Sequence, residues 1–321
     1  MRYAKIMSQI IDGRALADKI KDKIVQEVIK IIALPTREAG ELNRRPNLAI
    51  ILVGERPDSA LYVARKQTEA KKCGIDTHLY KFAENASEQE LLDCVGYLNR
   101  DDLIDGILLQ MPLPPQFNAD KIVAAISPNK EVDGFHPDNL AKIHACLPLL
   151  NKKSLPRVHH WGAGVRSYQM PVLAAVILEI LTEIKCDLRG KTVALLAHSD
   201  IFMSGVGEIL KQCGAKILPC CYDKNNTNQL QNCGRQADIV ITAVGKKHYL
   251  TADYLKPDTI VIDIGIIREG DETFGDVDFA SASKVASFIT PVPGGVGPMT
   301  IACALRNVVE LYKKYNTNIS N

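Results

Sequence analysis

No apolar run in the 321 residues approaches the ~20 needed for a membrane-spanning helix. The first residues, Met1-Arg-Tyr-Ala-Lys-Ile-Met7, are too poor in apolar side chains to read as a secretory signal. Neither charge dominates: 39 Lys and Arg stand against 37 Asp and Glu, a formal net charge of +2, so no broad basic field for nucleic acid is implied. The nine cysteines contain no Cys-x-x-Cys pair, and they read as reduced thiols of a cytosolic protein, several of them core filler. His159-His160 has no carboxylate or cysteine at ligand spacing, so no metal site is expected. Internal repeats and low-complexity segments are also lacking.

What is present is an ordinary globular composition, 46% hydrophobic and 24% charged, in a chain long enough for two medium domains. The chain is organised around Ser59 to Ile75. A short apolar run, Leu48 to Val53, reads as a buried strand, and Gly54-Glu-Arg-Pro-Asp58 breaks it. A helix is expected from about Ala60 to Cys73, with Gly74 as its stop. Tyr62 and Lys66, four apart, share a face of that helix. A phenol and an amine just after a strand-to-helix turn stand where open parallel sheets bind ligands. On residue type alone, a packed tyrosine and a solvated surface lysine are the favoured reading, because most lysines are exposed.

Elsewhere strand and helix alternate. Leu16, Ile20, Ile24, Val28 and Ile32 predict a helix over 12–32, followed by a polar connector over 35–46. Strands are expected at 77–82, 105–110, 192–196, 217–220, 239–243 and 260–264. Helices are expected at 87–98, opened by the capping box of Ser87 and Glu90, at 118–126, 171–184, 205–213 and about 299–315. Lys130 to Pro137 is turn-rich, and 146–167 reads as an irregular inter-domain segment. The order implies a parallel α/β sheet with right-handed crossovers. Gly245 and Gly265 close strands at points where backbone must approach something. Thr290-Pro-Val-Pro-Gly-Gly-Val-Gly-Pro-Met-Thr300 is a rigid loop whose bare N–H groups and helix start can meet a polar or anionic group.

Six pieces, Tyr62-Val-Ala-Arg-Lys66, Asp105 to Pro114, Val132-Asp-Gly-Phe-His-Pro137, Ala243-Val-Gly245, Ile262 to Ile266 and Pro291 to Thr300, occur together in one order. With Ile10 to Ala17 they make the chain resemble the FolD-type bifunctional methylenetetrahydrofolate dehydrogenase/methenyltetrahydrofolate cyclohydrolases. That resemblance implies two α/β domains with a cleft between them. A folate-binding catalytic domain would take residues 1–147 with 299–321, and a Rossmann-like NAD(P)-binding domain 148–298. It implies oxidation of 5,10-methylenetetrahydrofolate with NADP (NAD being the alternative) and hydrolysis of the methenyl product to 10-formyltetrahydrofolate. A cytoplasmic homodimer serving one-carbon metabolism and purine biosynthesis is implied too, with tetrahydrofolate derivatives as its partners and no nucleic acid or membrane.

Residue by residue, Lys66 resembles the family's acid/base lysine, Gln110 the glutamine that hydrogen-bonds it, and Tyr62 the tyrosine that stacks on the folate ring. Asp133 resembles the aspartate that binds the pterin, although Asp-Gly also forms turns unaided. Pro293, Gly294 and Gly297 resemble the loop lining the folate site. Ala197, His198, Ser199, Gly245, Ile266 and Thr300 fall at cofactor-binding positions. The family's first dinucleotide turn carries two glycines where this chain has Ala197 and Met203, and Asp200 and His198 are poor partners for phosphate. The folate half is therefore intact while the dinucleotide half is altered. Besides the bifunctional enzyme, two other readings follow: a cyclohydrolase with weak or changed dehydrogenase activity, and a non-catalytic folate-binding homologue.

Overall fold

A computed structural model describes residues 8–33, 44–145, 168–197, 200–221 and 227–316. In chain order the first elements are β1 (Gln9–Ile10), α1 (Gly13–Ala33), β2 (Asn47–Val53), α2 (Pro57–Lys72), β3 (Asp76–Phe82), α3 (Glu88–Arg100), β4 (Gly106–Leu109), α4 (Ala119–Ala125) and α5 (Pro137–Ala145). Next come α6 (Val172–Glu183), β5 (Thr192–Ala197), α7 (Asp200–Gln212), β6 (Lys216–Cys221), α8 (Thr227–Gln236), β7 (Ile239–Ala243) and β8 (Ile260–Asp263). The hairpin β9 (Ile267–Glu269) and β10 (Glu272–Phe274), α9 (Phe279–Ala282), β11 (Phe288–Ile289) and α10 (Val296–Asn316) complete it. No helix among the described residues is long and apolar enough to cross a membrane.

The chain folds into two compact units, one of residues 17–142, 162–172 and 301–321, the other of residues 1–16, 143–161 and 173–300. The first unit carries a three-stranded parallel sheet, ordered β3-β2-β4. β2 is buried along nearly its whole length, which explains its unbroken Leu-Ala-Ile-Ile-Leu-Val run. Ile51 and Leu109 from the sheet, Leu91, Val95 and Leu98 from α3, and Ile122 from α4 form its core on one face. The second unit carries a six-stranded parallel sheet, ordered β1-β11-β8-β7-β5-β6, with the antiparallel β9–β10 hairpin following β8 in sequence. Its core gathers Ala194, Leu196, Val240, Val261 and Ile289.

Local chemistry explains the element boundaries. Asp12 Oδ1 accepts the Arg14 and Ala15 N–H groups, each at 3.0 Å, and so opens α1. The Ser87 capping box forms as expected, and Asn118 accepts the Lys121 N–H at 3.0 Å to open α4. α2 starts earlier than expected, with Pro57 in its first turn, where a missing N–H costs nothing. α7 begins at Asp200, not Gly205; Gly207 lies mid-helix, where a Cβ would sit 3.3 Å from Leu195 Cδ1 of β5. That glycine therefore permits close helix-to-strand packing and does not interrupt the helix. In α1 the fourfold spacing fails at its end: Ile31 is buried while Ile32 is 43% exposed. Steps of four drift about 40° each against a 3.6-residue turn, so the fifth member has left the buried face.

α5, α8, the β9–β10 hairpin and the two-residue strands β1 and β11 are not among the elements expected from the sequence. Reduced thiols were expected throughout. Cys73, Cys94, Cys186, Cys213 and Cys303 are in no disulfide, but Cys233 is disulfide-bonded. Scattered cysteine spacing does not say which thiols will meet in the fold, so the sequence holds no sign of that bond. The segment expected over 146–167, most of the 35–46 connector, and His198 and Ser199 lie outside the described residues.

Candidate active site

In the first unit β2 is central, and the chain leaves it to β3 on one side and to β4 on the other. Such a reversal opens a crevice at the carboxyl ends of the two strands that part, here β2 and β4. α2 starts after β2, and Gln110 immediately follows β4, its N–H donating to Ile51 O at 2.9 Å. α2 turns one stripe inward, Ser59, Val63, Lys66 and Ala70. Lys66 thus lies at a core position of the helix, only 8% exposed.

Lys66 Nζ donates to Gln110 Oε1 at 2.9 Å. Gln110 Nε2 in turn donates to Met111 O at 2.6 Å, which fixes the amide with its oxygen toward the lysine. The Tyr62 ring lies one turn away, its centroid 5.3 Å from Nζ. Burial pushes the Lys66 amine below the usual lysine range, and the Asp133 charge opposes that shift. Asp133, half-buried, is pushed up by burial and drawn back by Lys66. Tyr62, Lys66, Gln110 and Asp133 are therefore brought together, with an amine whose hydrogen-bond partner is neutral. Such an amine gives up its proton more readily than a solvated lysine does.

Asp133 stands in a turn whose Asp-Gly main-chain groups are all engaged. The Glu131 carboxylate accepts the N–H groups of Asp133 (2.8 Å), Gly134 (2.8 Å) and His136 (3.2 Å). Glu131 itself extends the sheet through a parallel bridge to Ile107 of β4. Asn307 Nδ2 donates to Val132 O at 2.8 Å, the Val172 N–H to Asp133 O at 2.9 Å, and Asn139 Nδ2 to Gly134 O at 2.7 Å. Gly134 has φ +82°, and a Cβ there would come within 2.6 Å of Pro171 Cα, so only glycine fits. Sequence reasoning picked out Asp133 but missed Glu131 and the two asparagines. A glutamate two residues before Asp-Gly was the available signal.

The second unit repeats the arrangement. β5 is central, β6 lies on one side and β7 on the other, so the carboxyl ends of β5 and β7 flank its switch point. Ala197, buried, pairs with Ala243 there, and Gly245 follows two residues on. Gly245 has φ +69° and open space where a Cβ would stand. Gly265 is different: its Cβ would lie 2.3 Å from Asp276 Oδ1, so the approaching group is the protein's own carboxylate. Ile266, next in the chain, is 55% exposed. Open room at Gly245 and an uncovered apolar side chain at Ile266 both fit a flat dinucleotide at this sheet edge.

The proline-glycine loop belongs to this unit as well. Pro293 is exposed, and Gly294 has φ +109° and lies against the Arg14 guanidinium. Gly13 meets the loop so closely that a Cβ would be 1.8 Å from Gly295 O, which accounts for the glycine in Ile10 to Ala17. Thr300 Oγ1 donates to Gly297 O at 2.7 Å, tying the loop's end to α10.

Asp263 and Asp276 tie the end of β7 and the 276–277 step to the end of β8. Asp263 accepts the Gly265, Asp276 and Val277 N–H groups, and Asp276 accepts from Thr242 Oγ1, Val244 N and Lys246 N. Burial, then the Asp276 charge, push Asp263 up to about 7 against the pull of its own hydrogen bonds.

Known proteins resemble both units. Residues 11–133 match the catalytic-domain model of tetrahydrofolate dehydrogenase/cyclohydrolase, and residues 171–316 match its NAD(P)-binding-domain model. The chain is 38% identical to the bifunctional protein FolD of Oceanobacillus iheyensis, over 97% of this chain and 99% of that one. Among solved structures, the bifunctional FolD of Campylobacter jejuni superposes with a TM-score of 0.81 at 35% identity, covering 96% of this chain and 99% of that one. The Trypanosoma brucei enzyme, solved with NADP and an inhibitor, gives 0.82 at 28% identity, covering 96% and 98%. The chain belongs to the tetrahydrofolate dehydrogenase/cyclohydrolase family.

Proposed function

We propose that Lys66 is the acid/base group of a bifunctional enzyme that oxidises 5,10-methylenetetrahydrofolate and hydrolyses the methenyl product to 10-formyltetrahydrofolate. One observation carries the reading: a buried amine donating at 2.9 Å to the neutral oxygen of Gln110. In the hydrolytic step, water adds to the methenyl carbon, and the neutral Lys66 amine takes the proton that water loses. The proton then passes to the nitrogen as its bond to carbon breaks, and the hydroxyl left on carbon loses its remaining proton to become the formyl C=O, one proton being released overall. Gln110 keeps the amine aimed, Tyr62 offers its ring to the folate plane, and Asp133 accepts hydrogen bonds from the pterin. In the oxidative step the folate nitrogen supplies the electrons, so the protein's task is alignment.

NADP, when bound, supplies the hydride acceptor. Gly245, Ile266, Ala197 and Thr300 would hold it, with His198 and Ser199, outside the described residues, at the remaining cofactor-binding positions. In this reading the folate domain expected over 1–147 with 299–321 is the first unit and the dinucleotide domain expected over 148–298 is the second, although residues 1–16 group with the second unit, and Pro293, Gly294 and Gly297 line the folate site. The cytoplasmic homodimer and the supply of purine biosynthesis rest on family resemblance alone.

A second reading, cyclohydrolase with weakened dehydrogenase, is favoured by one observation: Ala197 and Met203 stand where the family carries glycines. Steady-state assays with methylenetetrahydrofolate and each of NADP and NAD separate the two, and brisk NADP-dependent turnover refutes the second. Methenyltetrahydrofolate hydrolysis lost in Lys66→Ala and present in wild type supports the assignment of Lys66. Equal hydrolysis by both would remove it.

A further inference from the structure

We propose that Glu131 is the positioning residue for Asp133: its buried carboxylate clamps three donors of the 133–136 turn and thereby fixes where the Asp133 carboxyl stands relative to Lys66. The proposal rests on the reading of Asp133 as the pterin-binding carboxylate.

Three observations support it. First, Glu131 is 4% exposed and accepts from the main chain at 133, 134 and 136, so both of its oxygens are used on the turn. Second, the carbonyls of Val132, Asp133 and Gly134 are each taken by another donor, from Asn307, Val172 and Asn139 respectively. The main-chain groups of the Asp-Gly step are thus committed, while the Asp133 carboxyl itself is not used to hold the turn. A turn this fully engaged can present that carboxyl to a ligand and gives it little freedom to move. Third, two carboxylates two residues apart in a buried turn repel one another, which a fold that used Glu131 only as filler would avoid. An apolar residue at 131 would leave three buried N–H donors unpaired, so the donors demand an acceptor there. Asn139 supports the same geometry from the other side, since it also takes the Gln169 N–H on its Oδ1 and donates to Gln169 O.

The test is a double-mutant cycle in the full-length enzyme, read as KM and kcat for methenyltetrahydrofolate hydrolysis. Glu131→Gln keeps the shape but turns an NH2 group toward N–H donors. KM is expected to rise about tenfold while kcat per folded molecule changes less, the size of coupling seen within one hydrogen-bond network. In an Asp133→Ala background, where nothing remains to position, Glu131→Gln should leave KM unchanged. Glu131→Asp, which restores the carboxylate, should recover most of the wild-type KM. A purely structural glutamate predicts a lower unfolding temperature with additive effects in the two backgrounds, and that outcome overturns the proposal. If Glu131→Gln does not fold, Asn139→Ser, which removes the support on the other side, takes its place in the same cycle with the same criteria. If Asp133→Ala itself leaves KM unchanged, the pterin reading of Asp133 falls and the proposal with it. If Asp133→Ala raises KM but Glu131→Gln does not, only the proposal falls.

Discussion

Lys66 is hydrogen-bonded to an amide, Gln110, at 2.9 Å, where a buried lysine more commonly meets a carboxylate. A carboxylate would hold the amine charged; an amide oxygen accepts from either protonation state. The Asp133 charge favours the ammonium form, and it acts against the dominant effect of burial. The amine's proton is thus negotiable, which is what hydrolysis requires.

Gln110→Glu is expected to abolish that freedom. A carboxylate at 2.9 Å raises the Lys66 amine back toward its ordinary range, so the fraction of neutral base at pH 7 falls. Methenyltetrahydrofolate hydrolysis should drop about tenfold or more at pH 7 and recover as pH rises. A pH–rate profile that superposes on the wild type would sink this account.

Two carboxyl groups with raised values, Asp263 and Glu131, each reach about 7. Burial is the main cause in both, aided by a neighbouring aspartate. Each takes up a proton on folding, so its stabilising contribution is full below its unfolded value, near 4, and is lost as pH rises through 7. The depressed carboxylates, Glu27 and Glu69 among them, act in the opposite sense: their contribution is present above the unfolded value and is lost as pH falls. The contribution of Asp263 and Glu131 is therefore expected to fall between about pH 5 and 7.5, by up to about 1.4 kcal/mol per pH unit for each, against the opposite slope of the lowered Lys66 amine. Urea unfolding of wild type and Asp263→Asn at several pH values isolates one of them; a stability difference that does not change with pH contradicts the assignment.

Glycine substitutions should part in sign. A Cβ at Gly13 meets backbone, 1.8 Å from Gly295 O, and Gly13→Ala should cost about 1–3 kcal/mol or more. Gly96, within α3, has only the Arg100 guanidinium nearby, at 3.6 Å, so Gly96→Ala should stabilise by about 0.5–1 kcal/mol. Thermal melts of the two variants suffice, and equal shifts would refute the contrast.

Ile266 is exposed at the carboxyl end of the sheet, so Ile266→Glu should barely change stability. If a dinucleotide covers it, the carboxylate should raise the KM for NADP about tenfold, or 1.4 kcal/mol, without touching methenyltetrahydrofolate hydrolysis. An unchanged NADP KM would place the dinucleotide elsewhere.

Much of this was legible in the sequence because it depends on local rules. Caps at Ser87 and Asn118, the buried β2 run, and the pairing of Tyr62 with Lys66 along one helix face all follow from spacing. Lys66 itself was ambiguous until Gln110, 44 residues away, was seen opposite it. The reach of Glu131 and the cross-ties from Asn139 and Asn307 were hidden because neighbours in space, not neighbours in sequence, give them meaning. Gly265 illustrates the same limit: close approach was foreseen, but its cause is Asp276. α7 was read too short because its first turn, from Asp200, was left out and the helix was started at Gly205.

The two sheets have a shared wiring, a first strand flanked by the second and the third, and among the described residues they have no strand in common. Strand pairing therefore carries nothing from β5 to the ladder that ends at Gln110. Substitutions can gather along one ladder and leave the hydrogen-bond register of the other as it was.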